Sequence, residues 1–372
     1  MLRTECRMRP YQVSLFKEES PLYLPSEPVF IHNNKRYLNF SLLDFRNLKN
    51  NEYLKETARL NLFADGLGST DRDSASMENL RVAMSELKKV ESVILFPDEI
   101  TASFALVSLF EPKTFFLIDY ETSPSFYTVL RLYNNIEFYH HENLEQLAKL
   151  LTIHNEKVII IDGLYEWLGY TGPVAEIIKL AKESQAVIVA NEINSFGLLG
   201  RDGRGFVDLF YLYDDVTLEI GSFDRFLGGF GAYIGAKRYL INKIIENTNG
   251  VYKTLPKFMI EVNLAGMSFL KDEKGNKNAF QKLWSHSRYF INRLKQIGLR
   301  TKSETPIIVI LFNNNEEARE FSKQLFNEGI IAQVQKERVR FIISLEHTKA
   351  DLDYTLDRIE GITKNLGIVP TL

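Results

Sequence analysis

Between residues 92 and 208, short aliphatic and β-branched runs alternate with amphipathic stretches, and this alternation constrains the chain more than any other feature. The runs at 92–96, 114–118, 157–161 and 186–190 are apolar along most of their length, the pattern of strands covered on both faces of a parallel sheet. Residues 144–151 and 174–182 repeat apolar positions at three- and four-residue spacing, which predicts helices between the strands. Such a succession builds a doubly wound α/β layer. Farther on, residues 278–297 read as a helix. Strand 307–312, helix 316–329, strand 339–343 and helix 352–366 follow, a smaller α+β unit. The joint falls at 247–257, where polar residues, Gly250 and Pro256 interrupt the periodicity. The expected division is an N-terminal segment over 1–45, a large domain over 46–250 and a small C-terminal domain over 251–372.

Composition agrees with two packed units: 372 residues, 45% apolar and 25% charged, exceed what one small core needs. A net charge of −3 without a basic block argues against a nucleic-acid surface. The single cysteine, Cys6, permits neither a disulfide framework nor a thiolate metal site. His140-His141 has no further ligand at metal spacing and reads as a surface pair at a strand end, so no metal is expected. No apolar run reaches the roughly 18 residues of a membrane span, and the basic N-terminus lacks the apolar centre of a signal peptide. A cytoplasmic chain is expected.

Three stretches carry candidate chemistry. Ile159-Ile160-Ile161-Asp162-Gly163-Leu164-Tyr165 is a strand ending in an acid and a glycine, followed by Gly172-Pro173. Residues 187–205, VIVANEINSFGLLGRDGRG, begin as a buried strand and turn polar at its carboxyl end, where open α/β sheets hold their ligands. Residues 221–240, GSFDRFLGGFGAYIGAKRYL, hold glycines that permit close backbone approach to a ligand or simply serve tight turns. Residues 60–76, with Gly66 and Gly68, form a further glycine-bearing loop.

In this order and spacing the three stretches resemble the α-oxoamine synthases, the pyridoxal-phosphate group that condenses an amino acid with an acyl-CoA. HENLEQL (141–147), SETPIIVI (303–310) and ISLEHTKADLD (343–353) extend the resemblance over nearly the whole chain from about Asn39. It implies a fold-type I PLP-dependent transferase fold: a large, doubly wound, mostly parallel sheet domain with a smaller C-terminal α+β domain.

The resemblance also implies a cofactor site, and residue by residue that site is altered. The family's Ser-Lys-Ala-Leu-Gly-Gly falls on Asp224-Arg225-Phe226-Leu227-Gly228-Gly229, so Arg225 stands where the Schiff-base lysine belongs. A guanidinium stays protonated and has no amine lone pair to attack an aldehyde. Lys237 lies beyond the glycine turn, out of place for a substitute. The carboxylate and histidine of Asp-x-Ala-His fall on Asn191 and Asn194, which removes the counter-charge of the pyridinium nitrogen. The ring-stacking histidine falls on Ser123. The phosphate turn falls on Asp98-Glu99-Ile100, where each carboxylate would repel a phosphate by roughly 4 kcal/mol per unit-charge pair at about 4 Å; an acidic first helical turn is their ordinary alternative. Ser222 completes the altered positions. Residues 333–338 replace the longer loop that carries the substrate-carboxylate arginine, leaving Arg338 and Arg340 as strand-edge residues.

These departures imply a chain that binds no pyridoxal 5'-phosphate and has no catalytic residues of its own. DGLYEWLG and LEHT resemble the first, non-catalytic subunit of serine palmitoyltransferase, the acyltransferase of sphingoid-base biosynthesis, although the membrane anchor usual in that subunit is missing. The implied partner is a lysine-bearing paralogue, whose active site this chain would stabilise and complete in a heterodimer, with acyl-CoA and amino acid at the shared site and endoplasmic-reticulum association through the partner. The alternatives are an active or degenerate protein like 8-amino-7-oxononanoate synthase, or a homodimeric pseudoenzyme.

Overall fold

The computed structural model describes residues 26–62, 75–132, 135–249 and 255–368. Cys6, Gly66, Gly68 and Gly250 lie outside them. The strands are β1 (Val29–His32), β2 (Lys35–Asn39), β3 (Ser92–Phe96), β4 (Phe115–Asp119), β5 (Ile136–Tyr139), β6 (Lys157–Asp162), β7 (Val187–Asn191), β8 (Leu218–Ser222), β9 (Ala232–Ala236), β10 (Ile307–Leu311), β11 (Ile330–Ile331), β12 (Gln333–Gln335) and β13 (Arg338–Ile342).

Seven of them form one sheet in the order β3-β9-β8-β7-β6-β4-β5. The pairs from β5 through β8 are parallel, whereas β9 runs antiparallel to both β3 and β8. The carboxyl ends of β3, β4, β6, β7 and β8 therefore share one edge, and that edge collects the candidate site residues. The apolar runs become strands because both sheet faces are covered: Val158 to Ile161 are fully buried. Two of the helices between them start on side-chain caps, Asp98 for Glu99–Val107 and Asn143 for Leu144–Ile153, which satisfy amides left open by the first turn.

The second layer is built on the antiparallel order β10-β13-β12 and the helices Glu273–Ile297, Asn315–Asn327 and Lys349–Asn365. Glu273–Ile297 begins five residues before the apolar periodicity because Asp272 caps it through the Gly275 amide at 3.1 Å. The β1–β2 hairpin turns on Asn33 and Asn34, at φ 48° and 59°, as a two-residue turn requires. β2 then pairs in parallel with β11, and Phe40 exchanges backbone hydrogen bonds with Ile331 and Ile342. Residues 29–40 are thereby woven into the C-terminal layer. One apolar cluster runs from Leu38 and Phe40 through Ile159 and Ala190 to Phe290, Phe341 and Leu356, so the layers share a core.

One reading of the sequence is corrected here, and one left open is decided. His141 is not a surface residue: it is 1% exposed and its Nδ1 stands 3.1 Å from Oδ2 of Asp119. The turn after β5, closed by the Asn143 amide on the His140 carbonyl, carries it inward beneath Tyr165, ring to ring at 4.3 Å. The glycines of the Gly228–Gly231 turn meet protein: a Cβ on Gly228, at φ 60°, would stand 2.7 Å from the Leu48 backbone, and one on Gly231, at φ 83°, 2.4 Å from the Phe96 carbonyl. They allow chain to cross chain.

Candidate active site

The chain leaves each strand at the shared edge and drops one or two polar side chains there. After β8, Ser222 donates to Asp224 at 2.5 Å, and the following turn brings Arg225 back under the edge with 14% of its side chain exposed. Its Nη1 donates to Glu166 Oε2 at 3.0 Å and to Asn194 Oδ1, and its Nε lies 3.8 Å from Glu99. Arg225, Asn194 and Glu99 therefore meet, as their sequence positions suggest. Glu166, on the loop after β6, is an addition. Its second carboxylate oxygen accepts from Arg340 of β13, so one carboxylate ties the large sheet to the small domain.

Arg340 is consequently not a strand-edge residue. It is 2% exposed, donates also to Gln333, and lies over the Trp167 ring at 4.3 Å, a cation held by a π-face. Arg338 does sit at the rim, in a two-pronged pair with Glu121 at 2.7 and 2.8 Å. Burial raises the Glu166 carboxyl, but the Arg225 and Arg340 charges outweigh it and hold the group at about 2. Burial lifts the Glu99 carboxyl above its ordinary value, against the pull of Arg225.

Asn191 and Ser123 gather around Asp162 at the same sheet edge. Asn191 Nδ2 donates to Asp162 Oδ1 at 2.6 Å and its own Oδ1 accepts from the Ile193 amide, so both ends of the amide are engaged within the protein. The Ser123 amide reaches the same Oδ1 at 3.4 Å, and its hydroxyl pairs with Ser125 at 2.9 Å. Asp162 Oδ2 is buried, and the Thr122 hydroxyl beside the carboxyl favours its charged form. Burial, with the nearby Asp119, pushes the Asp162 carboxyl up to about 7.

The turn at Asp98, Glu99 and Ile100 does not present a free set of amides. Asp98 Oδ1 accepts from the Thr101 amide at 2.7 Å and Oδ2 from the Thr101 hydroxyl at 3.0 Å. The capping alternative for Asp98 is what the geometry realises. Ile100 points outward, 45% exposed. Behind the edge, Lys88 is buried but holds Glu192 at 3.1 Å, Glu219 at 3.3 Å and the Arg204 carbonyl. Its ammonium is spent on that cluster, and Lys237 is exposed at a helix start.

Sequence reasoning missed Glu166 and Lys88 and set Arg340 aside as a strand-edge residue. Glu166 carried a signal, an acid in the loop following a strand that ends in Asp162-Gly163; its partners did not, because they come from residues 59 and 174 positions away.

Residues 37–359 match the family described as aminotransferase class I and II. The chain is 30% identical to an 8-amino-7-oxononanoate synthase from Thermoanaerobacter pseudethanolicus, over 96% of this chain and 95% of that one. It is 29% identical to a second from Thermosipho melanesiensis, over 93% of each. Among solved structures it superposes on serine palmitoyltransferase from Sphingomonas wittichii with a TM-score of 0.84 at 18% identity, covering 92% and 91% of the two chains. It superposes on 8-amino-7-oxononanoate synthase from Francisella tularensis with a TM-score of 0.80 at 20% identity, covering 89% and 99%. Sequence and fold agree that this chain belongs to the aminotransferase class I and II family, in its α-oxoamine synthase branch of fold-type I transferases.

Proposed function

We propose that this chain is a degenerate protein like 8-amino-7-oxononanoate synthase, one that forms no Schiff base and serves as a non-catalytic partner for a lysine-bearing paralogue. The observation that carries the reading is Arg225 and what surrounds it. The family's aldehyde-binding position holds a permanent cation, ion-paired with Glu166 and hydrogen-bonded to Asn194. The remaining groups do not fit pyridoxal 5'-phosphate either. The Thr101 amide is occupied by Asp98. The Asn191 amide is occupied by Asp162, and Glu99 adds negative charge at the helix start. Acyl-CoA and amino acid would then meet at a site shared with the partner.

Serine palmitoyltransferase comes second as the relative to reason from. Its solved structures share 18% of residues with this chain and speak for the fold, whereas the 30% identity to an 8-amino-7-oxononanoate synthase covers nearly the full length. Among the described residues no helix is long and apolar enough to cross a membrane, so association with the endoplasmic reticulum has no support in the chain itself.

The test is incubation with pyridoxal 5'-phosphate, borohydride reduction and peptide mapping, followed by an assay for CoA release with several amino acids and acyl-CoAs. The expected result is neither a reduced lysine adduct at the sheet edge nor turnover. A saturable aldimine band that reduces onto one lysine overturns the proposal.

A further inference from the structure

Acceptors from four strand ends meet the Arg225 guanidinium at the sheet edge. Glu166, after β6, accepts from Nη1 at 3.0 Å, Asn194, after β7, accepts from the same nitrogen, and Glu99, after β3, lies 3.8 Å from Nε. Asp224, after β8, adds a third negative charge. Burial would lower the guanidinium, but the charges of Glu166, Glu99 and Asp224 outweigh it and raise the group above its ordinary value. Each acceptor is also held by something other than Arg225. Glu166 accepts from Arg340 through its other oxygen, Asp224 accepts from the Ser222 hydroxyl at 2.5 Å, and Asn194 donates from Nδ2 to the Leu164 carbonyl at 3.3 Å, which turns its Oδ1 toward the guanidinium. Glu99 is placed by the first turn of Glu99–Val107, with the Ser222 hydroxyl beside it. The cradle is therefore set by the fold rather than by its occupant.

We propose that Glu99, Glu166, Asp224 and Asn194 form a guanidinium receptor with the Arg225 side chain as its resident ligand, and that the receptor refills with free guanidinium when that side chain is removed. The inference rests on the reading above, that no cofactor occupies this cleft, and adds that the lining has changed sign to suit a cation. Without Arg225 the three carboxylates face one another, and only Glu166 keeps a cation in Arg340, so their mutual repulsion draws in a positive ion. A flat cation with N–H donors around its rim satisfies acceptors arriving from several directions, which a spherical ion or an ion without N–H groups does not. Arg225 then does for this cleft what a bound ligand does: it joins the ends of β3, β6, β7 and β8 and, through Glu166, the small domain.

Removing the occupant tests the cradle. Arg225→Ala and Arg225→Gly are melted in guanidinium chloride from about 1 to 50 mM, far below denaturing concentrations, with sodium chloride and tetramethylammonium chloride as separate arms and the parent as control. The expected result is a saturable rise in melting temperature of at least about 2 °C in both variants with guanidinium alone, and none in the parent. Titration calorimetry should give one site per chain, with affinity at least about tenfold lower once Glu99→Gln and Asp224→Asn are added to Arg225→Ala. A variant that does not fold unaided is refolded with and without guanidinium, and folding that depends on guanidinium supports the proposal. The proposal is overturned by equal shifts in parent and variants, by sodium or tetramethylammonium matching guanidinium, by affinity unchanged without Glu99 and Asp224, or by both variants staying unfolded with guanidinium present. No pyridoxal 5'-phosphate is used, so an adduct in the reduction experiment would refute the Schiff-base reading without bearing on this one.

Discussion

Replacing Asp162 with asparagine should stabilise this protein at neutral pH and flatten its pH dependence. Asp162 is 2% exposed, one oxygen accepts from Asn191 and Ser123, and the Thr122 hydroxyl beside the carboxyl offsets only part of the cost of burial. Its carboxyl is raised from 3.8 to about 7, chiefly by burial and then by the Asp119 charge. An acid raised in the folded state keeps a proton that the unfolded chain releases, so stability falls as pH climbs between those two values and levels off above the folded one. At about 1.4 kcal/mol per unit, a shift of roughly 3 units amounts to about 4 kcal/mol. The asparagine carbonyl can accept the same two hydrogen bonds without ever ionising. Urea unfolding of parent and Asp162→Asn between about pH 4 and pH 8 isolates the effect, since every other group titrates in both. The parent should lose roughly 4 kcal/mol relative to the variant across that range, most of it below about pH 7. Parallel profiles would refute the argument and mean that solvent or a neighbour compensates the buried charge.

Arg225→Lys supplies an amine but leaves Asp98 on the Thr101 amide, Asn191 on Asp162 and Ser123 where a stacking ring belongs, and the new ammonium remains next to Glu166. Titration with pyridoxal 5'-phosphate should give no saturable aldimine band and no CoA release; turnover in the single variant would show the phosphate turn has been misread. Lys88→Met leaves Glu192 and Glu219 without their shared cation inside the protein, a loss on the order of 3–5 kcal/mol. A denaturation midpoint equal to the parent's would count against that cluster being charged.

How much of this was legible beforehand depends on the range of the interaction. The β3, β6 and β7 runs and the helices Leu144–Ile153 and Val174–Glu183 appear within a residue or two of their periodicity, because burial on both faces or on one stripe is written locally. Arg225, Asn194 and Glu99 were singled out one at a time and do come together. Asn191 and Ser123 were expected at the site and close around Asp162, which sequence alone did not show, since an amide beside a buried carboxyl bonds to it. The turn at 228–231 was ambiguous in sequence: a glycine needed for a ligand and one needed for a crossing chain are the same letter.

What the sequence by itself determined is the family, the strand and helix succession, and the absence of a lysine at Arg225. These follow from residue identity and short-range periodicity. Only the tertiary structure decided that Glu166 bridges Arg225 to Arg340, that His141 is buried against Asp119, and that Lys88 is consumed by Glu192 and Glu219. The physical reason is that a charge in a low-dielectric interior persists only beside its partner. Which partner it finds depends on which loops the sheet order brings to one edge, and residues 104 positions apart carry no local mark of meeting.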